Sequence, residues 1–562
     1  MTPVGKPIEL ELDLMSKQLI LNEPQISPLR VYTLERPLIT KTMLQWTILI
    51  VYIISSMFVT HAYKILVVSP IPGKSHAILG QALVNHLAQA GHEVTYIVSL
   101  VPDKAPPGVT IINLSENKKQ DETPLNIKSV MDNEFNSNFV SFLPLLMNIS
   151  QTTVENPKVQ KLMSDKNQHF DLVIAEWMFN EVYVGFSAVF NCPLIWLSSV
   201  EPHWMVLQLI DEIPNPAYNV DIMSRNAPPL SFAQRVWELC VLILGKLIQV
   251  FYTSGFEKEI YENLFVPHIR NRGHNVVPFD VVRNNASLIL SNSHISMGIA
   301  TRLPPNFIPI GGYHIDPVIK TLPENILKIM DNSKYGVIYF SMGTNLKSAH
   351  FPNEVKQALL KVFSELKQTV LWKFEENIPN LPRNVHILEW APQQSILEHK
   401  NCILFITHGG LLSTTEAIHF KVPIIGIPVF ADQFINIDRA VKKGFAKKVE
   451  LTYSMADHLN ITIQEMLSDQ RYADKVRELS GIYHDRTVSP SKELVHWVEH
   501  VIKTGGARHL RTPAFLMPWY QKMFLDLVLY LLATIISIKY TFRYICSLVT
   551  SKNSISGKKK RN

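Results

Sequence analysis

From residue 63 onward, short apolar runs alternate with longer stretches of mixed polarity. Lys64–Ser69 (KILVVS) reads as a strand, 70–73 as a loop, 76–90 as a helix closed by Gly91, and 93–99 as a second strand. That is a β-α-β unit. Apolar runs at 171–175 and 193–198 continue it. A second series has a strand at 336–341, a helix at 353–366 and strands at 370–374, 385–390, Cys402–Thr407 and 422–427. The strands are near-continuous in apolar residues, as parallel strands covered on both faces are. The pattern predicts an α/β chain of two doubly wound domains, 63–302 and 325–515, joined by a Pro- and Gly-rich linker at 303–324. The run 235–252 (RVWELCVLILGKLIQVFY) is strongly apolar but interrupted by Glu238 and Lys246. It fits a helix buried in the core or one touching a membrane surface.

Two further apolar segments concern the membrane. Residues 48–59 are too few to span comfortably and suit a signal h-region; Lys41 precedes them and Thr60-His61-Ala62 ends them in an Ala-x-Ala-like way. Met43 would start a signal peptide of residues 43–62 and leave 1–42 as an N-terminal extension absent from the mature protein; a retained signal anchor is the alternative. Residues 523–538 are flanked by Lys522 and Lys539. Sixteen helical residues cover about 24 Å, slightly less than the roughly 27 Å core of an ER bilayer. Trp519, Tyr520 and Tyr540 supply interfacial aromatics, so a transmembrane helix with a cytosolic tail at 539–562 is expected.

Charge sharpens this picture. Of 562 residues, 47% are hydrophobic and 18% charged, with a net charge of +6. Seven basic residues and no acid lie in the tail, so the rest is near −1 and nucleic acid is excluded as a natural partner. The tail ends Lys559-Lys560-Arg561-Asn562, which resembles the dilysine retrieval signal of ER membrane proteins. Sequons at Asn113, Asn148, Asn285 and Asn460 suit a lumenal body, and hence a single-pass type I protein of the ER membrane. The four cysteines, Cys192, Cys240, Cys402 and Cys546, match no metal-site or disulfide-scaffold spacing, although one pair could bridge.

The chemistry is concentrated at 390–433. The strand Cys402–Thr407 runs into His408-Gly409-Gly410, and a helix follows. A helix N-terminus beside two glycines offers unpaired N–H groups and a favourable dipole to an anion such as a diphosphate. Ser341-Met342-Gly343-Thr344 lies at another strand end and offers a second phosphate loop.

Trp390-Ala391-Pro392-Gln393, His408-Gly409-Gly410, Ser413, Glu416, Pro423, Pro428 and Asp432-Gln433 together resemble the signature of UDP-glycosyltransferases, including the UDP-glucuronosyltransferases. The wider text, HGGLLSTTEAIHFKVPIIGIPVFADQ with Ile310-Gly311-Gly312-Tyr313-His314-Ile315, is most similar to insect members. The resemblance covers roughly residues 63–550. It implies a GT-B fold whose two Rossmann-like domains face a cleft, acceptor on the N-terminal side and donor on the C-terminal side. It implies Trp390 against the uracil with Gln393 near it, and Glu416 on the ribose. His408, Gly410 and Ser413 would meet the diphosphate, and Asp432 and Gln433 the sugar hydroxyls. Leu412 stands where plant members carry Asn. His76 matches the family's catalytic base. Glu176 takes the place of the usual aspartate behind it, one methylene longer, while Asp171 points elsewhere by strand alternation.

The resemblance implies direct displacement: His76 takes the proton of an acceptor hydroxyl, the oxygen attacks the anomeric carbon with inversion, and UDP leaves. It implies a UDP-sugar cosubstrate and no permanently bound cofactor or metal. The insect-like text favours UDP-glucose, with UDP-glucuronate as the alternative sugar donor. The acceptor is expected to be small and lipophilic, as in detoxifying conjugation. A catalytically inactive lumenal binding protein of the same fold is the reading from a different class. Homo-oligomerisation stays open.

Overall fold

The computed structural model describes Trp46 and residues 62–559, apart from 121–126, 133–138, 213–214, 222–223, 225, 227 and 345. The N-terminal extension, the signal segment up to residue 61 apart from Trp46, and Lys560 lie outside the described residues. Residues 61–562 form one unit built on two parallel sheets.

The first sheet contains β1 (Lys64–Ser69), β2 (Glu93–Val98), β3 (Val109–Asn113), β4 (Leu172–Trp177), β5 (Leu194–Ser198), β6 (Leu288–Ser291) and β7 (Phe307–Pro309) in the order 3-2-1-4-5-6-7. The second contains β8 (Val337–Ser341), β9 (Thr369–Lys373), β10 (Val385–Leu388), β11 (Cys402–Thr407), β12 (Ile424–Gly426) and β13 (Ala446–Lys448) in the order 10-9-8-11-12-13. Each order is doubly wound, with its reversal at β1/β4 and β8/β11. Open sheets of this kind bind ligands at the strand carboxyl ends beside that reversal.

Strand alternation explains the continuous apolar runs. Along β1, Leu66 and Val68 enter one core cluster while Ile65 and Val67 enter another on the opposite face. Along β8, Ile338 and Phe340 are divided in the same way from Val337 and Tyr339.

The named helices are α1 (Lys74–Gln89), α2 (Phe232–Ile248), α3 (Leu411–His419), α4 (Gln433–Lys442), α5 (Pro490–Lys503) and α6 (Leu525–Lys559). Three placements differ from the sequence reading. The expected linker contains β7, the edge strand of the first sheet, because Phe307 and Ile308 bury their side chains there. The stretch 325–515 does not stay with the second sheet. Leu494, Val498 and Val501 of α5 share a cluster with Leu83 of α1, so the chain returns to the first sheet before its end. The terminal helix starts at Leu525 and its apolar stretch runs to Thr550, all of it unburied. At 1.5 Å per residue it is about 39 Å long, which removes the shortfall expected for 523–538.

Candidate active site

On the first sheet, Val68 and Ala175 are in register, so Ser69 and Glu176 follow as neighbours at the strand carboxyl ends. The loop after β1 delivers His76 in the first turn of α1. His76 Nδ1 donates to Glu176 Oε1 at 2.5 Å, and Ser69 Oγ donates to Oε2 at 2.5 Å. The longer glutamate side chain is thus held at both oxygens, which leaves Nε2 of His76 to accept a proton. Burial lowers the His76 pKa, but the charge and hydrogen bond of Glu176, helped by the charge of Asp432, carry it above 6.5. Glu176 is buried behind His76 and does not itself line the cleft. Asp171 sits at the other end of the strand, where it accepts from Lys64 N at 2.8 Å.

On the second sheet, β11 ends at Thr407 and the chain turns through His408-Gly409-Gly410 into α3. Gly409 has φ +86°, and Gly343, φ +87°, faces the His408 ring so closely that a Cβ would lie 2.5 Å from Cε1. Only glycine fits both demands there. Gly410 caps α3 without a side-chain hydrogen bond, so the first-turn N–H groups remain for a ligand. Burial first, then the charge of Lys373, lowers the His408 pKa to about 4. His408 is therefore a neutral donor at physiological pH. The positive charge comes from Lys373, a buried residue ending β9 that lines the cleft and donates to Glu375 Oε1 at 2.7 Å.

The end of the cleft around Trp390 and Glu416, expected to take the base and ribose, is built by amides and acids. Gln393 Nε2 donates to Ser413 Oγ at 3.0 Å and to Glu416 Oε2 at 2.6 Å, while its Oε1 accepts from Tyr339 at 3.2 Å. Its side chain thus positions Ser413 and Glu416 and is already occupied by protein partners. Gln394 donates to Glu416 Oε1 at 3.1 Å, and His314 Nε2 lies 3.4 Å from that oxygen. Trp390 is 59% exposed, with Lys74 Nζ from the first domain 4.7 Å from its ring centroid.

At the start of α4, where the sugar is expected, Asp432 Oδ2 accepts from Asn436 at 2.9 Å, and burial raises the Asp432 pKa. Gln433 Oε1 accepts from the Val429 and Phe430 amides at 2.8 and 3.2 Å, leaving its NH2 group for a ligand. Leu412 packs against the apolar cluster of α1 and β1, so it makes a contact between the two halves in place of a polar one.

These residues share one cleft of about 1280 Å³. Its walls include His76, Ser341, Gly343, Thr344, Trp390, Gln393, His408, Gly410, Ser413, Glu416, Asp432 and Gln433, all singled out by the sequence. Beyond His76 the wall turns apolar at Ile78, Val101, Phe142, Leu146, Met178 and Phe179. Sequence reasoning missed Lys373, His314 and Ser69. Lys373 and Ser69 end strands, as Ser341 does, and that shared place was the available signal.

A family model described as UDP-glucoronosyl and UDP-glucosyl transferase matches residues 63–562. A protein of Dactylopius coccus described as UDP-glucosyltransferase 2 is 32% identical over 515 residues, covering 90% of this chain and 97% of its own length. The human UDP-glucuronosyltransferase 3A1 is 29% identical over 511 residues, covering 86% and 93%. Among solved structures, spinosyn forosaminyltransferase SpnP superposes with a TM-score of 0.51 at 15% identity, covering 79% of this chain and 100% of that one. The glycotransferase of kitacinnamycin gives the same TM-score and identity, with coverages of 79% and 99%. Both likenesses concern the fold, which is GT-B.

Proposed function

The chain belongs to the UDP-glucoronosyl and UDP-glucosyl transferase family, the UDP-sugar-dependent glycosyltransferases, and from that premise we propose that it transfers glucose with inversion to a hydroxyl of a small lipophilic acceptor. The observation that carries this reading is the His76–Glu176 pair, held at 2.5 Å in a cleft whose opposite side carries Asp432 and the open first turn of α3. Trp390 takes the uracil, Glu416 the ribose, and the Ser341–Thr344 loop, His408, Gly410 and Lys373 the diphosphate. Asp432 and the Gln433 amide hold the sugar hydroxyls. His76 Nε2 removes the acceptor proton as the acceptor oxygen bonds to the anomeric carbon. The bond from that carbon to UDP breaks, and UDP keeps the electron pair, its charge met by the α3 N-terminus and Lys373. Glu176 stabilises the imidazolium that forms.

Glucose suits this sugar end, because Asp432 is a partner for hydroxyls and a glucuronate carboxylate would place a second acid beside it. The Dactylopius coccus relative also carries the name of a glucosyltransferase. Glucuronate is the second reading, favoured by the name of the human relative. The unburied apolar stretch of α6 supports a single membrane span with the catalytic body in the ER lumen, and exposed sequons at Asn113, Asn148 and Asn285 agree with that side. The apolar wall beyond His76 suits lipophilic acceptors of the kind conjugated in detoxification.

A donor screen of microsomes expressing the chain, with a mixed phenol and steroid panel, tests this. Transfer from UDP-glucose, with weaker or no transfer from UDP-glucuronate, is expected. UDP binding without turnover of either donor would sink it.

A further inference from the structure

We infer that α2 lies in the surface of the bilayer as a second membrane contact, with its apolar side among the lipid headgroups and upper acyl chains. A surface helix of a soluble protein turns its apolar stripe inward. This one is reversed. Phe232, Val236, Trp237, Ile243, Leu244 and Phe251 point outward, Trp237 60% and Phe251 82% exposed. Gln234, Glu238, Lys246 and, just past the helix, Gln249 bond to the body, while Arg235 is exposed beside Phe232. Glu238, the only acid between Phe232 and Tyr252, is buried and accepts from Asp221 N, Ser224 Oγ and Asn226 Nδ2 at 3.0, 2.5 and 2.8 Å. An apolar face this wide marks a contact surface on a folded protein.

Its position identifies the partner. Lys522, three residues before α6, donates to Asp211 Oδ2 at 2.5 Å. Asp211 directly follows the short helical turn Gln208–Ile210. On that same segment Lys246 of α2 bonds Gln208 and lies 5.2 Å from the Trp204 ring centroid. A Cβ on Gly245 would come within 2.3 Å of Trp204. The middle of α2 and the base of the span are therefore fixed to one small piece of the body, at one level. Trp519, 70% exposed, stands at that level as an interfacial aromatic. A bilayer crossed by α6 meets the outward face of α2.

The helix does not cross it. Ser231 and Gln234 form a capping box at its start, and the helical run continues into residues such as Ile260 and Phe265, which are buried in the body. Both ends are tied to one side, as in an in-plane amphipathic helix seated roughly 5–10 Å into the interface.

This rests on reading α6 as a span, and the test separates the two. Cys240 is exposed on α2 and Cys546 on α6, Cys192 is half-buried, and Cys402 is buried, which pushes its thiol up to about 12. The full chain carrying Cys192→Ser and Cys546→Ser is labelled at Cys240 with an environment-sensitive fluorophore and reconstituted into phosphatidylcholine vesicles. Nitroxide-labelled lipids then quench it. Quenching is expected to be stronger from nitroxides near the headgroup than from those at the chain ends. It is expected to be lost in Val236→Lys/Leu244→Lys, whose turnover in detergent stays that of the parent, showing an intact fold. A water-like emission without quenching overturns the inference. A blue-shifted emission without quenching also overturns it, in favour of contact with a second copy of the chain. Alkaline carbonate extraction reads the span independently: retention supports α6 as a span, and release rejects that reading whatever Cys240 reports.

Discussion

His76 Nδ1, in the first turn of α1, and Glu176 Oε1, at the end of β4, stand 2.5 Å apart, and the second oxygen of Glu176 is held by Ser69 at the end of the neighbouring strand β1. His76, the proposed base, is therefore oriented by a carboxylate held at both oxygens. The extra methylene of glutamate is accommodated by a serine at the end of β1.

Glu176 raises the His76 pKa against the lowering effect of burial. The active form is neutral His76, so activity falls as pH falls through a value above 6.5. Glu176→Gln removes the raising charge while burial remains. Its acidic limb of kcat/KM is expected to move to lower pH and its plateau to drop by about 10²–10⁴-fold. Ser69→Ala is expected to lower kcat roughly tenfold, for the loss of a hydrogen bond to a charged group, with KM for the UDP-sugar unchanged. A pH–rate series on the three proteins checks both.

In the proposed diphosphate site Lys373 is the cation, since His408 is neutral above about pH 4. Lys373→Met is expected to weaken UDP by roughly 10–100-fold, the range of a charge-assisted contact, and to leave uridine binding unchanged. Calorimetry with both ligands separates this from general damage, which would weaken the two alike.

Trp390→Ala should behave in the opposite way. A stacked base contributes about 1–3 kcal/mol. Uridine and UDP are therefore expected to weaken by the same factor, with kcat at saturating donor little changed.

Acid stability follows from buried neutral histidines. Burial is the first cause that lowers His203 to about 3 and His294, His408 and His419 to about 4. In the unfolded chain each takes a proton near pH 6.5, so these four make stability rise with pH across this window, while Glu201 and Glu257, whose pKa values burial raises, keep protons in the folded chain and offset part of that rise. The melting temperature is expected to fall steadily from pH 6.5 to 4.5. A melting temperature that rises over that range contradicts the assignment of these groups as neutral.

Much of the fold was written in the chain, for local reasons. The strands around His76 and His408 are continuous apolar runs ending at Pro, Gly and polar residues, and parallel burial on two faces leaves that trace. β7 escaped because three residues among prolines carry no period. The return of α5 to the first sheet escaped because its apolar stripe fits either domain, and only Leu83 across from Leu494 decides it. At the site, residues with a fixed place in the motif were legible. Gln393 was found but its work was not: its amide braces Ser413 and Glu416. Ser69 and Lys373 were marked only by their place at strand ends and His314 carried no role, because a serine, a lysine or a histidine beside apolar residues acquires meaning only from what the fold places next to it. The exposed face of α2 was undecidable for the same reason, since an apolar helix reads alike in a core and on a membrane.

The most direct measurement is turnover and UDP affinity of His76→Ala beside the parent, in solubilised protein with UDP-glucose and a phenolic acceptor. A base held by Glu176 predicts that transfer drops by about 10²–10⁴-fold while the UDP dissociation constant stays within about twofold. Transfer at the parental rate, with UDP still bound, contradicts the assignment of His76 and with it the account of this cleft.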